Sequence, residues 1–500
     1  MRMKTPWAGK ARPQLLTAAA LILPLLLGTS SAVAAQSGGT GSGPAARSAA
    51  SPTVTGPVTG GNGAVVLQAT AFDLGSVGYT RSEYFLSGNA ESYVPEEPLD
   101  SDGRWQVTPE SSAPYTTRIV VNRPADPARF NGTVVVEWLN VSGGLDAAPE
   151  WIYAHNELIR EGYAWVGVSA QATGVTATKT SDPVRYAALS HPGDSYSYDI
   201  FSQAGQAVRD SAATVLDGLR PRVVLANGES QSAFRLTTYI NAIQPLVSVY
   251  DGFLVHSRRD IGAPLSQAPE ADVPTPAVVR FRPDLDAPVL VVQAETDVIA
   301  LGSLSARQAD SPRLRLWEVA GTAHADAYIG LGTIDDGSGT AGLQGLKAML
   351  SPPTRTGCGS PINTGQAHYV LDTAEFALNR WVRTGIPPAR APRLQVDTSG
   401  STPAFVLDTH GNVVGGVRTP AVDVPVAALS GLGQTGASFC FLFGTTTPFS
   451  AETLAALYPD HATFVAKWSA ATVRGAAAGF LRPADAAELI GAATESGIGD

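Results

Sequence analysis

Two cysteines in 500 residues are too few for a disulfide-built scaffold or for a metal cluster held by thiolates. Charge is scarce as well. Asp, Glu, Lys and Arg make up 16% of the chain, below the roughly 25% of an average soluble protein. The 34 bases are outnumbered by 44 acids, and no basic stripe exists to neutralise phosphates, which argues against a nucleic-acid binder. No Gly-rich dinucleotide or phosphate fingerprint follows a strand pattern, and His and carboxylate spacing gives no zinc motif. Asp335-Asp336-Gly337 lacks the regular oxygen-ligand spacing of a calcium loop. Neither a cofactor nor a metal is therefore expected. Internal repeats are missing too, which excludes a fibre. What the chain has in quantity is apolar residues, at 44%, together with 51 Gly. That is enough for a sizeable core and excludes a disordered chain.

Arg2, Lys4, Lys10 and Arg12 precede an apolar run from Leu15 to Leu27, and Ala32-Val33-Ala34 supplies small residues for cleavage. The run is short for a membrane span and is interrupted by Pro24. Residues 1–35 therefore read as a signal peptide cleaved near Ala34 or Ala35, giving a secreted protein with no membrane span. No Arg-Arg pair precedes the run, which favours the general secretory route, and no cysteine follows it to carry a lipid. Removing its four bases moves the formal charge from −10 to −14. Residues 36–62 are Gly, Ser, Thr, Ala and Pro with hardly any large apolar side chain, and read as a flexible leader. Residues 63–500 contain no comparable linker and read as one domain.

Within that domain, apolar runs alternate with helical spacing. Strands are expected at Arg118–Asn122, Thr133–Leu139, Ala164–Val168, Arg222–Ala226, Val249–Val255, Pro288–Gln293 and Leu314–Val319. Helices are expected at Pro149–Glu161, Ile200–Leu219, Ser230–Ile243, Tyr369–Arg383, Ala451–Ala478 and Asp485–Ala493, with an ordered loop insertion at Gln171–Ser197. Short buried strands separated by helices imply an α/β fold with a mostly parallel sheet covered on both faces. Function in such a sheet sits on loops at the carboxyl ends of the strands.

One junction there carries chemistry. Asn227-Gly228-Glu229-Ser230-Gln231-Ser232 lies between strand and helix, and a nucleophilic serine needs its hydroxyl lifted clear of the sheet at such a turn. Gly228 leaves room for the turn. Ser232 stands where Gly is more usual. A serine hydroxyl needs a base, and the base an orienting acid. Just past the next strands come Glu295 and Asp297, then His324, in the order Ser, acid, His. Asp297 is preferred to Glu295 as the acid. His256 also ends a strand, but it precedes the acid. The oxyanion hole is expected from the backbone N–H of Gln231 and of one residue in the loop Asn140-Val141-Ser142-Gly143-Gly144, with Val141 the candidate.

These elements resemble the α/β-hydrolase superfamily. More narrowly, residues 137–144, His191-Pro192-Gly193-Asp194-Ser195-Tyr196-Ser197-Tyr198-Asp199 and Gly415-Gly416-Val417-Arg418-Thr419-Pro420 are similar to a large bacterial α/β-hydrolase-domain family. The resemblance covers nearly everything from about residue 64 to 495. It implies that fold, with loop insertions and a C-terminal extension packed on the core, and a Ser230–Asp297–His324 triad. The expected activity is hydrolysis of carboxylic esters of small molecules. An amidase, peptidase or acyltransferase could use the same triad, and a non-catalytic binding protein on the same scaffold is the reading from a different class. Cys358 and Cys440, delivered to an oxidising compartment, are expected to form a disulfide. Neither lies in a catalytic motif, so the bond is expected to serve stability.

Overall fold

The computed structural model describes residues 48–500. The expected signal peptide and residues 36–47 of the expected leader lie outside them. A nine-stranded sheet forms the centre, with strands β1 (Thr53–Thr55), β2 (Tyr79–Pro95), β3 (Val107–Pro124), β4 (Thr133–Trp138), β5 (Ala164–Val168), β6 (Val223–Glu229), β7 (Gly252–His256), β8 (Val289–Ala294) and β9 (Leu314–Val319). Their order across the sheet is β1-β2-β3-β5-β4-β6-β7-β8-β9. From β5 to β9 every neighbouring pair is parallel, and β1, β2, β3 and β5 pair antiparallel.

The parallel strands are short and apolar because helices cover both faces, so successive residues are buried on opposite sides. Val134, Val136, Val224, Ala226, Val289 and Val291 face a core shared with Ile200, Phe201, Leu236 and Ile240. Val135, Val223, Leu225, Leu290 and Val292 face the other, with Trp151, Leu158, Val370, Leu371 and Leu378. The first group of helical residues comes from Ser197–Asp210 and the segment after Ser230, the second from Pro149–Arg160 and Ala367–Thr384. A third cluster, around Phe464, Trp468 and Leu489, holds the C-terminal helices together.

The structure departs from expectation where side-chain pattern is a poor guide. Residues 48–62 do not behave as a flexible leader. Thr53–Thr55 forms β1, opposite Ser87, Leu86 and Phe85, and the Val58 N–H donates to the Glu83 carbonyl at 2.8 Å. An edge strand is bound through backbone groups, so it needs no large side chains of its own. The hairpin β2–β3 was legible only at Arg118–Asn122. Its buried positions include Glu83, Ser92, Thr117 and Arg118, which break the apolar alternation a strand search relies on. The stretch Ser230–Ile243 turns from α-helix to a wider π turn at Tyr239–Ile243. Ala451–Ala478 is two helices, because Pro459 interrupts it and Asp460 caps the second by accepting from the Thr463 N–H at 2.7 Å. The insertion after β5 contains a helix, Ala172–Ser181.

Cys358 and Cys440 form a disulfide, 82 positions apart in sequence with Cα atoms 5.4 Å apart. Among the described residues no helix is long and apolar enough to cross a membrane.

Candidate active site

β6 ends at Glu229, and the helix Gln231–Thr238 starts two residues later. Ser230 alone makes the reversal, with φ 56° and ψ −118°, a conformation that side chains other than Gly rarely adopt. The turn brings the helix back over the strand so closely that a Cβ on Gly228 would meet the Ser232 backbone carbon and Leu236 Cδ1 at 3.0 Å and Ser232 Cβ at 3.1 Å. Because Gly228 has no side chain, a serine at 232 is accommodated.

The hydroxyl of Ser230 lies 2.8 Å from Nε2 of His324. On the other side of that ring, Nδ1 lies 2.6 Å from Oδ1 of Asp297. Three separate strand ends, those of β6, β8 and β9, deliver these residues to one edge of the sheet. Both flanking groups are held in turn. Oδ2 of Asp297 accepts from the Ser257 hydroxyl at 2.8 Å and the Ala294 N–H at 2.6 Å, and the His324 N–H donates to Oγ1 of Thr296 at 3.1 Å. With one carboxylate oxygen so occupied, the other is fixed on the imidazole. Burial by itself would lower the His324 pKa, but the charge and hydrogen bond of Asp297, with Glu229, outweigh it and raise it. In the neutral ring, Nδ1–H donates to Asp297 and Nε2 accepts from Ser230.

Glu295, the other candidate acid, points elsewhere. Its two oxygens accept from the Gly321 N–H at 2.6 Å and the Gly431 N–H at 2.8 Å, so it fastens the loop before His324 to a C-terminal segment. Burial pushes its pKa up to about 7. The His256 ring is turned elsewhere, with Nδ1 3.1 Å from Glu150 Oε1 and an edge-on contact to Tyr153, while its backbone carbonyl accepts from the Ser230 N–H at 3.0 Å.

Gln231 is the first residue of its helix, where an N–H has no intrahelical acceptor. The loop after β4 closes through reciprocal bonds of 2.9 Å between Asn140 and Ala147. It is tied to the turn at Ser230 by Asn140 Nδ2, which donates to the Glu229 carbonyl at 3.2 Å and to Glu229 Oε2 at 3.1 Å. Val141 thus follows a residue anchored next to Ser230, and its Cγ1 would lie 3.1 Å from a Cβ on Gly174.

Glu229, Ser257 and Thr296 are site residues that sequence reasoning missed. The signal for Glu229 was present: an acid at the buried end of an apolar strand rarely occurs without a partner. The disulfide also lies closer to the site than residue spacing suggests. Cys440 belongs to the turn Ser438–Phe443, and the Leu442 carbonyl of that turn accepts from the Ala325 N–H, next to His324, at 3.0 Å. Replacing both cysteines by serine should lower stability by about 2–4 kcal/mol, read by chemical denaturation. Activity at 25 °C should fall about two- to tenfold as the His324 loop loosens. Unchanged stability would show that the cross-link restrains nothing that unfolds.

No curated protein matches the chain. Among solved structures, an arylesterase aligns at 14% identity over 36% of this chain and 63% of its own, with a TM-score of 0.22. A rice cell wall degrading esterase from Xanthomonas oryzae aligns at 12% over 36% of this chain and 43% of its own, with a TM-score of 0.20. An esterase from Rhizomucor miehei aligns at 12% over 59% and 84%, with a TM-score of 0.27. The chain thus spans 63% and 43% of the lengths of the first two, and superpositions of this extent say nothing about its activity. The family match is of another order: residues 54–491 fit the family described as alpha/beta hydrolase domain, and the chain belongs to that family.

Proposed function

We propose that the protein is an exported serine hydrolase that cleaves carboxylic esters of small molecules. The observation that carries this reading is the continuous chain of hydrogen bonds from Ser230 through His324 to Asp297, 2.8 Å and 2.6 Å long. Ser230 attacks the ester carbonyl while Nε2 of His324 takes its proton. Asp297 holds the ring in the required tautomer and stabilises its charged form. The carbonyl oxygen, now negative, is met by the Gln231 N–H and by the loop at Val141. His324 then protonates the departing alcohol, leaving an acyl group on Ser230. Water, activated by the same histidine, releases the acid. The disulfide supports export, since paired cysteines persist in oxidising compartments, and residues 1–35 supply the expected signal.

The test is a substrate panel with purified protein. p-Nitrophenyl esters of increasing acyl length should be turned over faster than matched amides and peptides, and a fluorophosphonate should label Ser230. Preference for the amide series would make the protein an amidase or peptidase, and labelling at another serine would remove the mechanism. The acidic formal charge, −10 for the whole chain, disfavours approach of polyanions. A neutral ester should therefore be hydrolysed faster than its phosphorylated analogue, and the reverse preference would contradict this expectation.

A further inference from the structure

We propose that Glu229 is a positioning residue that steadies the positive charge on His324 when Ser230 gives up its proton. Its Oε1 lies 3.4 Å from Nε2 of His324, the nitrogen that receives that proton. The two side chains are almost fully buried, with 9% and 4% of the side-chain surface exposed. Both ends of Glu229 are fixed: β6 holds its backbone beside Ser230, and Asn140 Nδ2 holds its other oxygen at 3.1 Å. In the resting state a neutral Nε2 turns its lone pair to the Ser230 hydroxyl and gains little from a carboxylate nearby. Once the proton has moved, the ring carries a full charge between Asp297 at 2.6 Å and Glu229 at 3.4 Å. Glu229 therefore favours the charged stage over the resting one, the condition for accelerating the step.

The neighbours set the balance. His256, at the end of β7, Glu150 and Tyr153, on the helix Pro149–Arg160, and Asp297, just after β8, are the groups that act on Glu229 with His324. Asp326 stands behind them, its Oδ1 accepting from the Tyr153 hydroxyl at 3.1 Å. Burial is the largest influence on Glu229 and pushes its pKa up to about 7. His324 and His256 pull against it, while Glu150 and Asp297 add to it. Glu229 in turn raises the pKa of His324, after Asp297, and His324 must be neutral to accept the proton. Activity is therefore lost as pH falls through the His324 pKa. Glu229 carries its charge mainly above about pH 7, so it holds that limb up from the neutral side, and removing its charge should move the limb to lower pH.

The proposal rests on the Ser230–His324 reading, and fluorophosphonate labelling separates the two because it needs no known substrate. The rate of Ser230 labelling would be followed against pH in wild type, Glu229→Gln and Glu229→Asp, with thermal melting to confirm folding. In Glu229→Gln, which keeps the shape and the acceptor for Asn140, the acid limb should fall by about one unit and the plateau rate by about tenfold. Glu229→Asp keeps the charge but draws it back, so its limb should lie between the two. If Glu229→Gln does not fold, Glu229→Asp decides alone by the same limb. A slower rate with the wild-type limb in a folded variant would make Glu229 a purely structural clamp and overturn the proposal. Labelling away from Ser230 in the wild type would instead overturn the reading beneath it.

Discussion

Replacing Ser230 or His324 by alanine should lower kcat by roughly 10⁴-fold or more while the protein stays folded. The size comes from how the three groups act together. A neutral serine hydroxyl is a weak nucleophile, and the imidazole at 2.8 Å is what removes its proton in the same motion as attack. Without either partner, only binding and the oxyanion donors remain. Asp297→Asn should cost about as much, near 10⁴-fold, for a different reason. The amide can present an N–H to Nδ1, which turns the ring into the tautomer that carries its proton on Nε2, facing Ser230. Circular dichroism and melting of each variant, alongside ester hydrolysis, distinguish lost chemistry from lost fold. Full activity in Ser230→Ala would end the assignment.

The second large effect is on stability, and it comes from the buried arginine of β3. Arg118 is wholly buried and meets Glu83 Oε1 at 2.6 Å, Asp146 Oδ2 at 3.0 Å and Ser169 Oγ at 3.0 Å. It also donates to the Val66 carbonyl and, at 3.3 Å, to the Tyr186 hydroxyl. Substituting methionine leaves two carboxylates inside. Glu83 keeps Arg185 at 2.7 Å, but Asp146 retains only the hydroxyls of Ser169 and, at 3.4 Å, Thr178. Losing one partner of a buried pair costs about 3–5 kcal/mol, since the other charge stays unpaired out of water. Arg118→Met should lower the unfolding free energy by that amount in urea. Adding Asp146→Asn should recover part of it. A loss below about 1 kcal/mol would mean that the ions contribute nothing net. Asp146 belongs to the loop that follows Val141, so Arg118→Met should weaken ester hydrolysis as well as the fold.

Much of the candidate site is legible in the sequence because its requirements are local. A strand, a sharp turn through Gly228 and Ser230, and a helix are specified by residues within about a dozen positions of one another. The same holds for an acid just past β8 and a histidine just past β9. A parallel sheet then brings all its strand ends to one edge, so chain order alone placed Ser230, Asp297 and His324 together. The choice between Asp297 and Glu295 was different. Two residues apart on one turn, they point in different directions, and only the packed structure shows Glu295 spent on the Gly321 and Gly431 N–H groups.

The sequence by itself determined the fold class, the apolar strands buried between helices and the chain order of the site residues, because periodicity and turn chemistry are properties of neighbouring positions. The tertiary structure decided what depends on partners distant in the chain. Thr53–Thr55 became a strand because β2 offered an open edge, and Glu83 and Arg118 could be buried because each supplied the other's opposite charge. Glu229 came to face His324, 95 positions later in the numbering, through the arrangement of β6, β8 and β9. Polar groups enter a core only when another group meets them there, and which group that will be is settled by packing rather than by pattern.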